Sequence, residues 1–308
     1  MTGAAPSAPS GAANPYAAAE RIIVGAVTAL FVPGNRPDRF VKARGSGADF
    51  IIIDLEDAVD NDDKNAALAA TVAYLALVGG QAGEQMGEQM GEQVGEQTAV
   101  PVLVRINSLD TARGRDDVAA LHEHAGALGG IVVPKVESVS HLNEVAIKLP
   151  QVPLVAIVET AAGIVALPQL LSTTHISRLA FGAIDFALDV GSTAGAVLDA
   201  ARSTIVMASR AAALPAPLDS PSTHILETET VAASAASAHA FGFGGMLAIH
   251  PAQLDPIRSG FLPTGAELAW ARRALAAGGN ASQLDGQMVD RPVLERARRL
   301  LQAAGERP

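Results

Sequence analysis

The chain has 308 residues, 49% of them hydrophobic and 18% charged, with Lys+Arg 22 against Asp+Glu 32 and a formal net charge of -10. That composition suits a globular chain with a sizeable core, and an acidic balance without any basic stripe argues against nucleic acid and anionic membrane as partners. There is no cysteine, so disulfides, thiolate nucleophiles and Cys-ligated zinc are excluded.

The first residues, MTGAAPSAPSGAANPYAAAE, carry neither a charged n-region nor an apolar h-region. A disordered leader over 1–20 and a cytoplasmic chain are expected. Short apolar or β-branched runs then recur with helical stretches between them: ALFVPG (29–34), FIIIDLED (50–57), VPVLVRIN (100–107) and GGIVVPKV (129–136). VPLVAIVET (152–160), RLAFGAID (178–185), a short APLD (216–219) and GGMLAIH (244–250) complete the set. Eight strands alternating with helices predict a closed (β/α)8 TIM barrel over 21–262. The seventh strand is the weakest member.

Residues 81–98 interrupt the second βα unit with a Gly-Glu-Gln repeat that carries four Glu and no Lys or Arg. Gly at every fourth position costs a helix about 1 kcal/mol per residue relative to Ala, so a flexible acidic insert is expected. The Gly-rich GFGGM at 242–246 precedes a strand instead of opening a helix, and reads as a tight turn. No dinucleotide fingerprint, Walker sequence or His-Glu-x-x-His zinc motif is present. After the barrel, 267–278 reads as an amphipathic helix, and 286–305 as an extended turn and a final helix with Pro292 in its first turn. This C-terminal helical extension over 263–308 is not needed to close a barrel, and a neighbouring subunit is the simplest thing for it to pack on.

In a TIM barrel the chemistry sits at the C-terminal strand ends. Those ends offer Pro33 and Gly34, then Asp54, Glu56 and Asp57, then Arg105 and Asn107, then Lys135 and Glu137, then Glu159, Asp185, Asp219 and His250. Glu159 and Asp185 close neighbouring strands, and two such carboxylates are the protein's usual share of a magnesium site, with water and an oxyanionic substrate completing the octahedron. Arg105 offers a planar two-pronged donor for a carboxylate, with an ion pair to the Asp54/Glu56 cluster as the alternative.

The segments LFVPGNRPDRF, DFIIIDLEDAV with Lys64 following, VLVRIN, VVPKVES, IVETAAGI, FGAIDFALDVG, IHPAQL and GQMVDRPV run in order from about residue 28 to the C-terminus. In them the chain resembles the citrate lyase beta subunit group of the HpcH/HpaI aldolase family. The resemblance implies a Mg2+-dependent barrel, commonly trimeric. Its reaction would make or break a carbon-carbon bond beside a thioester carbonyl, between acetyl-CoA and a 2-oxo acid, as in malyl- or citramalyl-CoA. It implies metal ligation by Glu159 and Asp185, a substrate contact by Arg105, a supporting role for Glu56 and Asp57, and passage of the thioester arm beside Pro33 and Gly34.

Asp290 alone would read as a helix N-cap. The resemblance instead implies that it reaches a neighbouring subunit's site and handles the proton on the acetyl carbon. One position departs from the pattern: where relatives tend to carry Arg four residues after the Lys, this chain has Leu68. That leaves the acyl group and oxo acid open. A CoA-independent 2-oxo acid aldolase, or a citrate lyase complex subunit acting on an acyl-carrier-protein thioester, are the alternatives.

Overall fold

Strand β2 (Phe50–Asp54) reads FIIID, and all five residues are buried. A run of β-branched residues buried on both faces is what a parallel strand inside a helix jacket requires. The computed structural model describes residues 16–79, 100–172, 175–277, 282–284 and 287–306. Within it β2 pairs in parallel with β1 (Thr28–Pro33) on one side and β3 (Val102–Arg105) on the other. The sheet continues through β4 (Gly130–Val133), β5 (Leu154–Val158), β6 (Ile176–Phe181), β7 (Leu218–Asp219) and β8 (Gly245–Ala248). It closes back on β1 as an eight-stranded barrel in sequence order. The expected fold is the observed one, and the seventh strand is the shortest, at two residues.

The two-residue period of each strand divides the core in two. Ala29, Phe50, Ile52, Leu103, Val132, Val155, Ile157, Ala180, Leu218 and Leu247 pack together inside the barrel. Their neighbours, among them Leu30, Ile51, Ile53, Val104, Ile131 and Val133, pack outward in a separate cluster with the helices. Extending the inward set past the strand ends selects Pro33, Asp54, Arg105, Glu159, Gly182, Ser220 and Ile249. The barrel mouth is therefore written in the strand alternation.

Helix α1 (Ala17–Gly25) lies at the opposite end, with Ile23 and Ala26 joining the interior cluster. It begins within the stretch expected to be leader. Arg178 on β6 is 1% exposed and donates to the carbonyls of Ile23, Ala26 and Ala216 at 2.7, 2.7 and 2.8 Å. Burial lowers its pKa to about 10. The guanidinium thus ties the end of α1 to the barrel floor. The rest of the expected leader, 1–15, lies outside the described residues, as does the expected acidic insert at 81–98.

The remaining barrel helices are α2 (Phe40–Arg44), α3 (Lys64–Gly79), α4 (Ala112–His122), α5 (Val139–Lys148), α6 (Ala161–Leu170), α7 (Ala183–Asp189), α8 (Gly195–Ala211), α9 (Thr228–Phe241) and α10 (Leu254–Phe261). The C-terminal extension follows as α11 (Gly265–Ala276), an antiparallel pair β9 (Ser282–Leu284) and β10 (Gln287–Val289), and α12 (Arg291–Ala303). Thr264 and Glu267 form a capping box on α11, and Pro292 sits in the first turn of α12. Ala271, Ala274, Ala297 and Leu301 form a core of the extension's own, apart from both barrel clusters. The β9–β10 pair stands where the sequence predicted only an extended turn.

Candidate active site at the barrel mouth

A cavity of about 330 Å3 opens at the C-terminal end of the barrel, lined in part by Phe31, Pro33, Asp57, Arg105, Glu159 and Asp185. Glu159 follows β5 on the inward side and is 2% exposed. Its Oε1 accepts the Lys135 backbone N–H at 2.8 Å. Lys135 has a φ of 48°, the left-handed region that non-glycine residues seldom enter. The same residue's Nζ reaches Glu56 Oε1 at 2.5 Å, so one strained residue holds two carboxylates.

Asp185 does not end a strand. Strand β6 stops at Phe181, and Asp185 rides the first turn of α7, half-buried. The reason is local: Gly182 breaks the strand, and its missing side chain leaves room for Glu159, whose Cβ would stand 2.6 Å from an added Cβ. Both carboxylates still meet on the one cavity. Burial pushes the Glu159 carboxyl up to about 8, with repulsion from Glu56 and Asp185 adding and attraction from Arg105 and Lys135 opposing.

Arg105 is 8% exposed, and its fork is taken by Asp54: Nε to Oδ1 at 2.7 Å and Nη2 to Oδ2 at 2.6 Å. Burial works against its charge, yet Asp54, Glu56 and Asp57 more than offset it and raise its pKa. Phe31 stacks under the guanidinium, 4.8 Å from ring centroid to Cζ. The Nη1 prong donates to Asp57 Oδ2 at 3.3 Å and stands 3.0 Å from Glu56 Oε2, and Arg105 and Asp57 both line the cavity. The ion pair expected as the alternative is present and takes the fork, and Arg105 also lines the cavity.

Glu56 lies behind the cavity wall. Although Arg105 Nη1 is near, the angle is wrong for a hydrogen bond, and Glu56 Oε2 is the single buried side-chain oxygen among the described residues without a hydrogen-bond partner. Burial, with Asp57 adding and Arg105 and Lys135 opposing, pushes its carboxyl up to about 7. Lys64 holds the loop beneath it, donating to the carbonyls of Leu55 and Glu56 at 2.8 and 2.6 Å. Leu68, one turn on, packs against the helix-side core.

Other strand-end residues have structural duties. Gly34 does not line the cavity: a Cβ there would meet Leu55 Cδ2 at 2.8 Å and the Asp54 carbonyl at 2.9 Å. Glycine is thus required there by the packing of β1 on β2, while Pro33 beside it lines the cavity. Asn107 donates to the buried Asp117 at 2.7 and 2.9 Å, Asp219 pairs with Arg202 at 3.0 Å, and His250 caps the short helix after β8. Asp290 is exposed, caps α12 through Val293 N at 3.3 Å, and is absent from its own chain's cavity. Sequence reasoning missed Lys135 as an anchor and Ser220 as a lining residue. The alternation along β7 would have found the second, since Ser220 shares the inward side with Leu218.

No group of three or more His, Asp or Glu converges as a metal cluster among the described residues. Zinc sites need three or four such ligands, whereas magnesium is content with one or two carboxylates. Two carboxylates on one small cavity, one of them reluctant to ionise in isolation, fit a hard divalent cation. Among the described residues no helix is long and apolar enough to cross a membrane.

Comparison with known proteins places the whole chain in a family. The family model of the HpcH/HpaI aldolase/citrate lyase family matches residues 28–251, and the chain belongs to that family. It is an enzyme of the lyase class. A citrate lyase subunit beta-like protein of Deinococcus radiodurans is 34% identical over 289 residues, covering 88% of this chain and 95% of the relative. A (3S)-malyl-CoA thioesterase of Cereibacter sphaeroides is 30% identical, covering 89% and 93%. The crystal structure of CitE from Mycobacterium tuberculosis in complex with magnesium, acetoacetate and coenzyme A superposes with a TM-score of 0.76 at 33% identity, covering 92% of this chain and 99% of that one.

Proposed function

We propose that this family member is a Mg2+-dependent lyase or synthase. It would cleave or form a 3-hydroxyacyl-CoA of the malyl- or citramalyl-CoA type, with acetyl-CoA and a 2-oxo acid as the other side of the reaction. The observation that carries the reading is the convergence of Glu159, Asp185 and Arg105 on one small cavity. The solved relative bound to magnesium, acetoacetate and coenzyme A supports it.

In the cleavage direction the substrate hydroxyl loses its proton, the bond to the methylene carbon breaks, and the electrons move onto the thioester as an enolate. Mg2+ held by Glu159 and Asp185 would supply a Lewis acid and template for the oxo acid. Arg105 Nη1 offers a fixed positive donor to the oxo-acid carboxylate, and Asp54 holds the guanidinium so that little reorganisation is needed. Glu56 and Asp57 set the charge around that prong. Glu56, just behind the cavity wall with its carboxyl raised to about 7, is the residue we assign to exchange the substrate hydroxyl proton. The acetyl carbon must then gain a proton, a role we assign to Asp290 of a neighbouring chain in a homotrimer.

The test is a screen of acetyl-CoA and propionyl-CoA against glyoxylate, pyruvate and oxaloacetate, and of malyl-CoA alone, with and without Mg2+. Mg2+-dependent condensation, or acetyl-CoA with glyoxylate from malyl-CoA, supports the proposal. The thioesterase relatives point to a second reading, and free CoA with malate as the sole products would favour it.

A further inference from the structure

We infer that Ser220 is a positioning residue for the metal site: it caps, from the end of another strand, the helix that carries Asp185. The inference rests on the proposed assignment of Glu159 and Asp185 as metal ligands.

Helix α7 starts at Ala183, directly after Gly182. The residue before a helix usually carries Ser, Thr, Asp or Asn, whose side chain accepts one of the first free N–H groups. Here that position is closed to any side chain, because an added Cβ at Gly182 would stand 2.6 Å from Glu159 Cβ and closer still to Oε2. Glu159 thereby deprives its metal partner's helix of its own cap. The missing acceptor comes from the residue after β7 instead: Ser220 Oγ accepts the Ala183 N–H at 3.1 Å.

Ser220 is itself fixed. It is 5% exposed, its N–H donates to Asp219 Oδ1 at 2.8 Å, and Asp219 is paired with Arg202 at 3.0 Å. At the far end of α7, Asp189 Oδ2 accepts the Ala161 N–H at 2.7 Å, two residues after Glu159. The helix is strung between β7 and the end of β5, with Asp185 in the turn next to the Ser220 bond. A metal that must meet two carboxylates at once tolerates a misplacement of only about 0.5 Å, so the cap and the ion draw on the same geometry.

Mg2+ binding to the substrate-free protein, measured by calorimetry alongside melting of the metal-free protein, tests this. Ser220→Ala should weaken Mg2+ binding about threefold to tenfold, and Ser220→Thr, which keeps the hydroxyl, should stay within about twofold of wild type. Asp185→Asn should lose binding altogether. A Ser220→Ala protein that melts earlier yet binds Mg2+ with wild-type affinity would overturn the inference and leave Ser220 a purely structural cap. Wild-type affinity in Asp185→Asn would overturn the ligand assignment and the inference with it.

Discussion

Arg105 grips Asp54 with both prongs of its fork and turns only Nη1 toward Asp57 and Glu56. The pair is buried, so Asp54 orders the guanidinium and offsets its desolvation, and a ligand meeting the remaining prong in the proposed reaction would cost it little freedom.

Replacing Arg105 by Lys keeps the charge and removes this geometry, since an ammonium cannot hold Asp54 bidentately and face the mouth together. Turnover should fall about a hundredfold or more, the usual effect of losing a preorganised donor to a developing charge. Steady-state kinetics and a melting curve on the same preparation separate lost chemistry from lost fold. Near-normal turnover would remove Arg105 from the site.

Gly182→Ala places a methyl against Glu159. Mg2+ affinity should drop about tenfold to a hundredfold, as for other changes that disturb a ligand's support. An isothermal titration checks it, and an unchanged Kd would mean that Glu159 has another rotamer free for the ion.

Affinity for Mg2+ should also depend on pH. The Glu159 carboxyl is raised from 4.5 to about 8, so below that value the folded, metal-free protein carries a proton that the ion must displace. Binding should strengthen as pH rises from about 6 to 8, by up to about tenfold per unit, and level off above. The sign for stability is the reverse: a carboxyl raised in the folded state favours the fold at low pH, and that contribution is lost as pH climbs through about 8. Titrations at three pH values check this, and a flat Kd would place the proton elsewhere.

Much of this site is legible in the chain. The inward alternation of β2, β3 and β5 delivers Asp54, Arg105 and Glu159 to the mouth without any alignment. Asp185 was visible as a residue and misplaced as an element, because a glycine that ends a strand and begins a helix looks the same in either. Lys135 was visible as a charge, whereas its anchoring role comes from a left-handed backbone that only three-dimensional context imposes. Gly34 shows a packing need that the chain does not reveal, since only the folded structure sets Leu55 and the Asp54 carbonyl where its side chain would be.

The in-trans role of Asp290 can be tested by complementation. Asp290→Ala should bind Mg2+ normally and lose about a hundredfold to ten-thousandfold in turnover, the range of a positioned proton carrier. Glu159→Ala should be inactive through the metal. Mixed after dissociation and reassembly, the two should recover activity, because a mixed oligomer pairs an intact metal site with an intact Asp290. Mixed oligomers verified by mass that stay inactive would rule the role out.

The most direct measurement is a crystal structure of the protein soaked with Mg2+ and pyruvate. The account predicts one ion at the barrel mouth, with a Glu159 oxygen and an Asp185 oxygen each about 2.0 to 2.1 Å away, and pyruvate oxygens filling adjacent octahedral positions. Its carboxylate should lie within hydrogen-bond reach of Arg105 Nη1. An ion bound elsewhere, or carboxylates that cannot share one, would contradict the assignment on which the proposed chemistry depends.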